Sequence, residues 1–185
     1  SSHQLFSDEE TVKLIDYPHL AYVSQYLSLL RESDKAFSEL VSYFKKQDRP
    51  VIILLFGDQQ PVAYSGLYDY MPDNAAALLK YKVPFVIWAN YDIEEKYIDA
   101  ISVNYLASYL LEIAGIEGTV YNKYLMQLYN EIPVINALFY MDRDYRLYDL
   151  SAQSPYTELI TGYKYVGYNN ALDKKNRLEK YYYLR

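Results

Sequence analysis

Two uninterrupted apolar runs constrain the fold of this chain more than any other feature. Val51-Ile52-Ile53-Leu54-Leu55-Phe56 follows Pro50, and Val83-Pro84-Phe85-Val86-Ile87-Trp88 comes after a polar stretch. Neither run alternates, both are rich in β-branched and aromatic residues, and turn formers bound the first. Such runs read as strands buried on both faces, the pattern of a sheet with helices packed against it. Gly57-Asp58-Gln59-Gln60-Pro61 breaks the first run. In open α/β sheets ligands bind beyond the carboxyl ends of strands, so this break is where chemistry is expected.

The remaining elements follow from periodicity and capping. Ser1 to Tyr17 is polar and acidic and reads as a loop. Leu20, Val23, Leu27, Leu30, Phe37, Val41 and Phe44 step by three and four, predicting a long amphipathic helix over 18–46. Asp34 falls on that apolar stripe, as a carboxylate with buried partners or as part of a turn at Ser33-Asp34; buried polar groups are usually satisfied structural ones. Asp73 is placed to cap a short helix over 74–80. Ser102 is placed to cap the next helix, which Gly115 terminates in the left-handed region. Thr119 starts another, which stops before Pro133. Val134 to Met141 reads as a third strand, Asp142-Arg143-Asp144 as a turn, and Tyr145 to Leu150 as the returning hairpin arm. A helix around Pro155–Gly162, a loop rich in Tyr, Gly and Asn, and a basic tail complete the chain. The order predicts an α/β fold in one domain over 1–185, a sheet with helices on both faces and a C-terminal hairpin.

Composition excludes several functions. Eighteen basic and twenty-four acidic residues leave a formal net charge of −6. This weighs against nucleic acid as a partner, because a phosphate backbone requires a basic face. No cysteine is present, which excludes disulfides, thiolate metal sites and cysteine nucleophiles. No run approaches the roughly 18–20 apolar residues that a bilayer span needs, so this stretch reads as soluble. The start Ser1-Ser2-His3 lacks a Met, and the chain is expected to be a piece of a longer protein. Tyrosine is the unusual count, 25 of 185 residues. A sugar-binding surface would use such residues, but their scatter along the whole chain favours a compositional bias spread over core and surface. From Lys174 to Arg185 five basic residues face one acidic residue. A solvated charged end is the plain reading, and a contact to an anionic envelope surface the sharper one.

Few residues remain as candidates for chemistry. Two histidines exclude a His-rich metal site, and no Gly-rich phosphate loop or nucleophile elbow is present. Asp58 directly follows a strand and a glycine, where a carboxylate faces a cleft, although a turn-forming aspartate would occupy the same position. His3 and His19, taken by themselves, read as surface histidines.

The strings Tyr26-Leu27-Ser28-Leu29-Leu30-Arg31-Glu32-Ser33-Asp34-Lys35-Ala36-Phe37 and Phe56-Gly57-Asp58-Gln59-Gln60-Pro61 carry more information than the periodicity. With Val83 to Tyr91 and Asn104 to Gly115, they come in the order found in one group of enzymes. The chain resembles the C-terminal part of the lipoteichoic acid synthases and related phosphoglycerol transferases of the alkaline phosphatase/sulfatase superfamily. The resemblance implies a partial sulfatase-like sheet from a longer protein with N-terminal transmembrane helices. The catalytic domain would lie on the extracellular face of a bacterial membrane.

In that family a Thr nucleophile and a divalent metal, typically manganese, take glycerol phosphate or a similar group from a lipid and pass it on. The family pattern Phe-Gly-Asp-His-x-Pro places Asp58 on the metal-binding Asp and Gln59 on the metal-binding His. Gln59 is a departure, since a carboxamide oxygen is a poorer ligand than imidazole for manganese. Ser2-His3-Gln4-Leu5-Phe6 resembles the family motif whose His contacts the substrate phosphate, which implies a substrate-binding role for His3. The nucleophile is expected upstream, so this chain alone is expected to be inactive. The implied partners are an anionic glycerophospholipid or envelope polymer and the upstream half of the same catalytic domain. The alternative is a degenerate, non-catalytic domain that binds or supports an envelope polymer.

Overall fold

The structure, a computed structural model, describes residues 12–15, 21–60 and 81–184. The chain divides into two compact units, Ser1–Asp92 and Ile93–Arg185. The expected loop before Tyr17 lies almost wholly outside the described residues, as do His3, His19 and the helix expected over 74–80.

In the first unit, helix α1 spans Ala21–Phe44. Its first half buries Val23, Ser24 and Ser28. The two serines receive a neighbouring strip of chain: Ser28 Oγ accepts from Val12 N–H at 3.0 Å and Ser24 Oγ from Leu14 N–H at 2.9 Å. Asp34, expected on a buried stripe or at a turn, is instead exposed within unbroken helix. The periodicity marks a helix face correctly, but burial along that face stops short of residue 34.

Strands β1 (Ile52–Phe56) and β2 (Phe85–Ala89) pair antiparallel, with Ile52 opposite Ala89 and Phe56 opposite Phe85. Both apolar runs therefore form strands of one sheet, as their composition predicts. The expectation of burial on both faces is corrected at the β1 end, where Leu55 and Phe56 are 46% and 44% exposed and Val86 is 47% exposed. Leu55 and Phe56 are consecutive and point to opposite faces, so neither face is fully covered at this end, and a continuous apolar run does not reveal how many layers cover it. Asn90 fastens the start of this pair to the end of α1. Its Oδ1 accepts Val51 N–H at 2.8 Å, and its Nδ2 is shared among the carbonyls of Phe44, Gln47 and Arg49 at 3.0–3.1 Å.

The second unit begins with α2 (Val103–Ile113), which is followed by α3 (Val120–Glu131). Ser102 occupies the N-cap of α2 with extended backbone, but its hydroxyl does not cap the helix. It accepts Ile135 N–H at 2.7 Å and donates to Ile135 O at 3.0 Å, so it ties the helix start to a strand instead. Gly115 ends α2 at φ +65, with Gly115 N–H on Glu112 O and Ile116 N–H on Leu111 O. This paired closure satisfies two carbonyls that the helix leaves open, and it requires the left-handed residue. At α3, Thr119 and Asn122 form a reciprocal capping box. Asn122 Nδ2 also donates to Ser108 Oγ at 3.0 Å, so the cap joins the two helices.

The single strand expected over 134–141 is two strands. β3 (Val134–Ile135) and β4 (Phe139–Met141) pair antiparallel, and β5 (Leu147–Asp149) adds to β4 as the predicted hairpin arm. The cause of the break is Asn136, whose Oδ1 accepts both Leu138 N–H at 2.8 Å and Phe139 N–H at 2.9 Å. An asparagine that takes up its own following amides builds a turn. The described strands thus form two small antiparallel sheets, β1-β2 and β3-β4-β5.

Helix α4 runs over Thr157–Ala171, well past the predicted end at Gly162, and a short α5 follows at Glu179–Tyr182. Gly162 and Gly167 cost about 1 kcal/mol each in a helix. Buried Ile160 and half-buried Tyr163 offset that cost by packing on the core, and Asn104 Nδ2 donates to Tyr163 OH at 3.1 Å. The core of this unit joins α2 and α3 to the small sheet through Tyr105, Leu125, Leu128, Ile132, Ile135 and Tyr140. Tyrosines line both core and surface: Tyr105 and Tyr140 are fully buried, while Tyr43, Tyr165 and Tyr168 are exposed. In the basic tail Lys174, Lys175 and Lys180 are exposed. Arg177 instead donates to Asn170 Oδ1 and lies over the Tyr182 ring. No helix among the described residues is long and apolar enough to cross a membrane.

Candidate functional site

β1 ends at Phe56, and the chain continues into Gly57, Asp58, Gln59 and Gln60. Gly57 N–H donates to Pro84 O at 3.1 Å, which carries the β1-β2 pairing one step beyond the strand. A Cβ at position 57 would stand 3.0 Å from Val83 Cβ, so any side chain there would push Val83 back by a few tenths of an ångström. Gln60 Nε2 donates to Lys82 O, fixing the far end of the loop to the same segment.

Between these two anchors stand Asp58 and Gln59, both exposed. Asp58 Oδ1 accepts Gln59 N–H at 2.8 Å, an arrangement that leaves Oδ2 outside the bond. The loop therefore presents one carboxylate and one carboxamide on adjacent residues at the carboxyl end of a strand, where the sequence predicts them. Together these are two oxygen donors. Among the described residues no group of three or more His, Cys, Asp or Glu side chains could hold a metal ion. His3 lies outside the described residues, so its position relative to Asp58 does not enter the geometry.

A match to the sulfatase family extends over residues 2–116, which takes in the Asp58 loop and the whole of α2. The chain belongs to the sulfatase family. This sulfatase-family chain has the fold of part of the Streptococcus pyogenes phosphoglycerol transferase GacH, solved in complex with sn-glycerol-1-phosphate. The TM-score is 0.65 at 20% identity, covering 94% of this chain and 41% of that one. A Rhizobium meliloti (strain 1021) protein, whose name assigns it to cyclic beta-1,2-glucan modification, is 24% identical over 172 residues. The chain spans 27% of that protein's length, against 86% of its own.

Sequence reasoning passed over Asp142, which read only as a turn former. It is 2% exposed, and its carboxylate organises the β4-β5 connection. Oδ1 accepts Asp144 N–H at 2.9 Å and Arg146 N–H at 3.0 Å, and Oδ2 accepts Tyr148 OH at 2.9 Å. Burial pushes this carboxyl up, but the bonds from Arg146, Tyr148 and Asp144 outweigh burial and hold it below the ordinary carboxylate range. The same bond pushes the Tyr148 hydroxyl up. No spacing in the sequence signals this arrangement, because it depends on strand pairing bringing Tyr148 alongside.

Proposed function

We propose that this chain is the C-terminal part of a sulfatase-family catalytic domain that transfers or hydrolyses a phosphoglycerol-type ester on a cell-envelope lipid or polymer. The observation that carries this reading is Asp58, exposed two residues past β1 in a loop anchored at both ends. A carboxylate held in this way is positioned without being consumed by the fold. Asp58 and Gln59 fit one side of a site for a hard divalent cation such as manganese, since carboxylate and carbonyl oxygens suit such ions. A bound ion would supply Lewis-acid stabilisation of phosphoryl oxygens. The remaining metal ligands and the Thr nucleophile belong, in this proposal, to the upstream part of a membrane-anchored protein whose catalytic domain faces outward, and His3 contacts the substrate phosphate.

Calorimetric titration of manganese into the longer catalytic domain tests the metal reading, with wild-type, Asp58→Ala and Gln59→His compared. Imidazole binds first-row divalent ions more strongly than a carboxamide oxygen, so Gln59→His should tighten binding and Asp58→Ala should abolish it. Gln59 itself favours a second reading, a degenerate domain that binds or supports an envelope polymer. Identical titrations for all three proteins would select that second reading.

A further inference from the structure

A cleft of ≈ 350 Å³ opens in the second unit, lined by the 96–100 segment, one side of α2 and α3, and the turn after β4. Its volume lies within the roughly 300–1,000 Å³ of small-ligand sites. Two features of its rim set it apart from an ordinary surface hollow. Tyr97 is 85% exposed and Tyr145 is 61% exposed, so two aromatic rings face solvent at one opening. Tyr145 also has φ +62, a conformation that a bulky side chain seldom adopts and that persists only when neighbours over-determine it. Here they do: its hydroxyl donates to Asp99 Oδ2 at 2.6 Å, and its N–H donates to Asp142 O at 3.2 Å. The ring is thus held in a costly pose at a cleft mouth, with its hydroxyl fixed to a carboxylate of the facing segment.

The polar groups are equally specific. Arg143 donates Nε to Asn130 O at 2.9 Å and Nη2 to Tyr129 O at 2.7 Å, with its guanidinium 4.5 Å from the centre of the Tyr129 ring. It is rigid rather than a waving surface charge. Lys96 and Arg143 share the lining with Asp99, Glu112 and the already satisfied Asp142, so charges of both signs are present. An anionic ligand would meet the carboxylates, and a cationic one would meet the lysine and arginine. A neutral ligand dense in hydroxyls satisfies all of them, because each hydroxyl both donates and accepts.

We infer that this cleft binds a neutral oligosaccharide segment, with the exposed rings of Tyr97 and Tyr145 stacking on the C–H faces of the sugars. Asp99, Glu112, Asn130 and Arg143 take the hydroxyls at the ring edges. Tyr145 is presented in advance, so little ordering accompanies binding. The inference goes beyond the proposed phosphoester chemistry and stands on different residues. A binding measurement therefore leaves the reading of Asp58 untouched, whichever way it falls.

The test is titration of the purified chain with cellotriose, laminaritriose, maltotriose and chitotriose, read by calorimetry and saturation-transfer NMR. At least one of these should bind with millimolar or tighter affinity, with saturation transfer to sugar C–H protons. Tyr97→Ala should weaken that binding about tenfold, the effect of losing one stacking ring. Tyr145→Phe should weaken it less, since the ring remains and only its anchor on Asp99 is lost. Tyr168→Ala, the same kind of change on exposed α4, should leave binding unchanged. Thermal melts of each variant separate a lost contact from a lost fold, and Tyr97 is exposed enough for its variant to fold. Failure of all four sugars to bind would overturn the inference, as would binding that ignores Tyr97→Ala or falls equally in Tyr168→Ala. Displacement of the bound sugar by sn-glycerol-1-phosphate would overturn the assignment to a neutral ligand.

Discussion

At position 57 a side chain would crowd Val83 on the segment that anchors the Asp58 loop. Gly57→Ala would press a methyl group against Val83 Cβ at 3.0 Å, on the segment that receives Gly57 N–H. Overpacking of this kind costs about 1–3 kcal/mol. The expected outcome is a lower denaturation midpoint together with weaker manganese binding by the longer domain, even though residue 58 is unchanged. Asp142 allows a prediction in pH. Its carboxyl is held below the ordinary value of 3.8, so its contribution to stability is present above that value and is lost as pH falls through the depressed one. Thermal melts over a pH series should show the midpoint falling below about pH 4. Asp142→Asn should begin with a lower midpoint, because an amide nitrogen cannot accept from Tyr148 OH, and should lose that part of the pH dependence, because a carboxamide does not titrate.

Among the elements, α3 is the most completely specified by local sequence. Thr119 and Asn122 satisfy each other's backbone amides, and Pro133 lies just beyond the helix end. Thr119→Ala should destabilise the chain by about 1 kcal/mol, measured by urea denaturation. Gly115→Ala should cost a similar ~1–2 kcal/mol, since alanine must take the left-handed pose that the α2 closure requires. Other elements depended on distant partners. The run 134–141 is apolar enough for one strand, yet Asn136 folds it into two. Residues 163–171 look like a loop because of Gly167 and two asparagines, yet Ile160 and Tyr163 pack the helix onto the core and carry it through. Ser102 has the right identity and backbone for a cap, and its hydroxyl went to Ile135 because β3 lies beside it.

For the molecule as a whole, the two compact units carry separate features, the Asp58 loop in one and the tyrosine-rimmed cleft in the other. Catalysis that combines a positioned nucleophile with a metal is strongly non-additive, so part of the constellation performs little of the reaction. The purified chain should therefore show no metal-dependent turnover of a chromogenic phosphodiester. In the longer catalytic domain, Asp58→Ala should lower turnover by about a hundredfold or more. Turnover by this chain alone that Asp58→Ala removes would mean that the residues from Ser1 to Arg185 hold a complete site.

What the sequence determined by itself is what short-range chemistry determines: strands at 52–56 and 85–89, helices beginning after Ser102 and Thr119, the left-handed stop at Gly115, and a carboxylate at the end of β1. Apolar runs, caps and glycines act within a few residues, and the quoted motifs placed the chain among the sulfatases. Only the tertiary structure decided that Leu55 and Phe56 reach solvent, that Asp34 is exposed and Asp142 buried, and that Tyr97 and Tyr145 share one cleft. Burial and long-range pairing depend on which surfaces meet, and residues 46 positions apart, such as Asp99 and Tyr145, carry no local sign that one will hydrogen-bond the other.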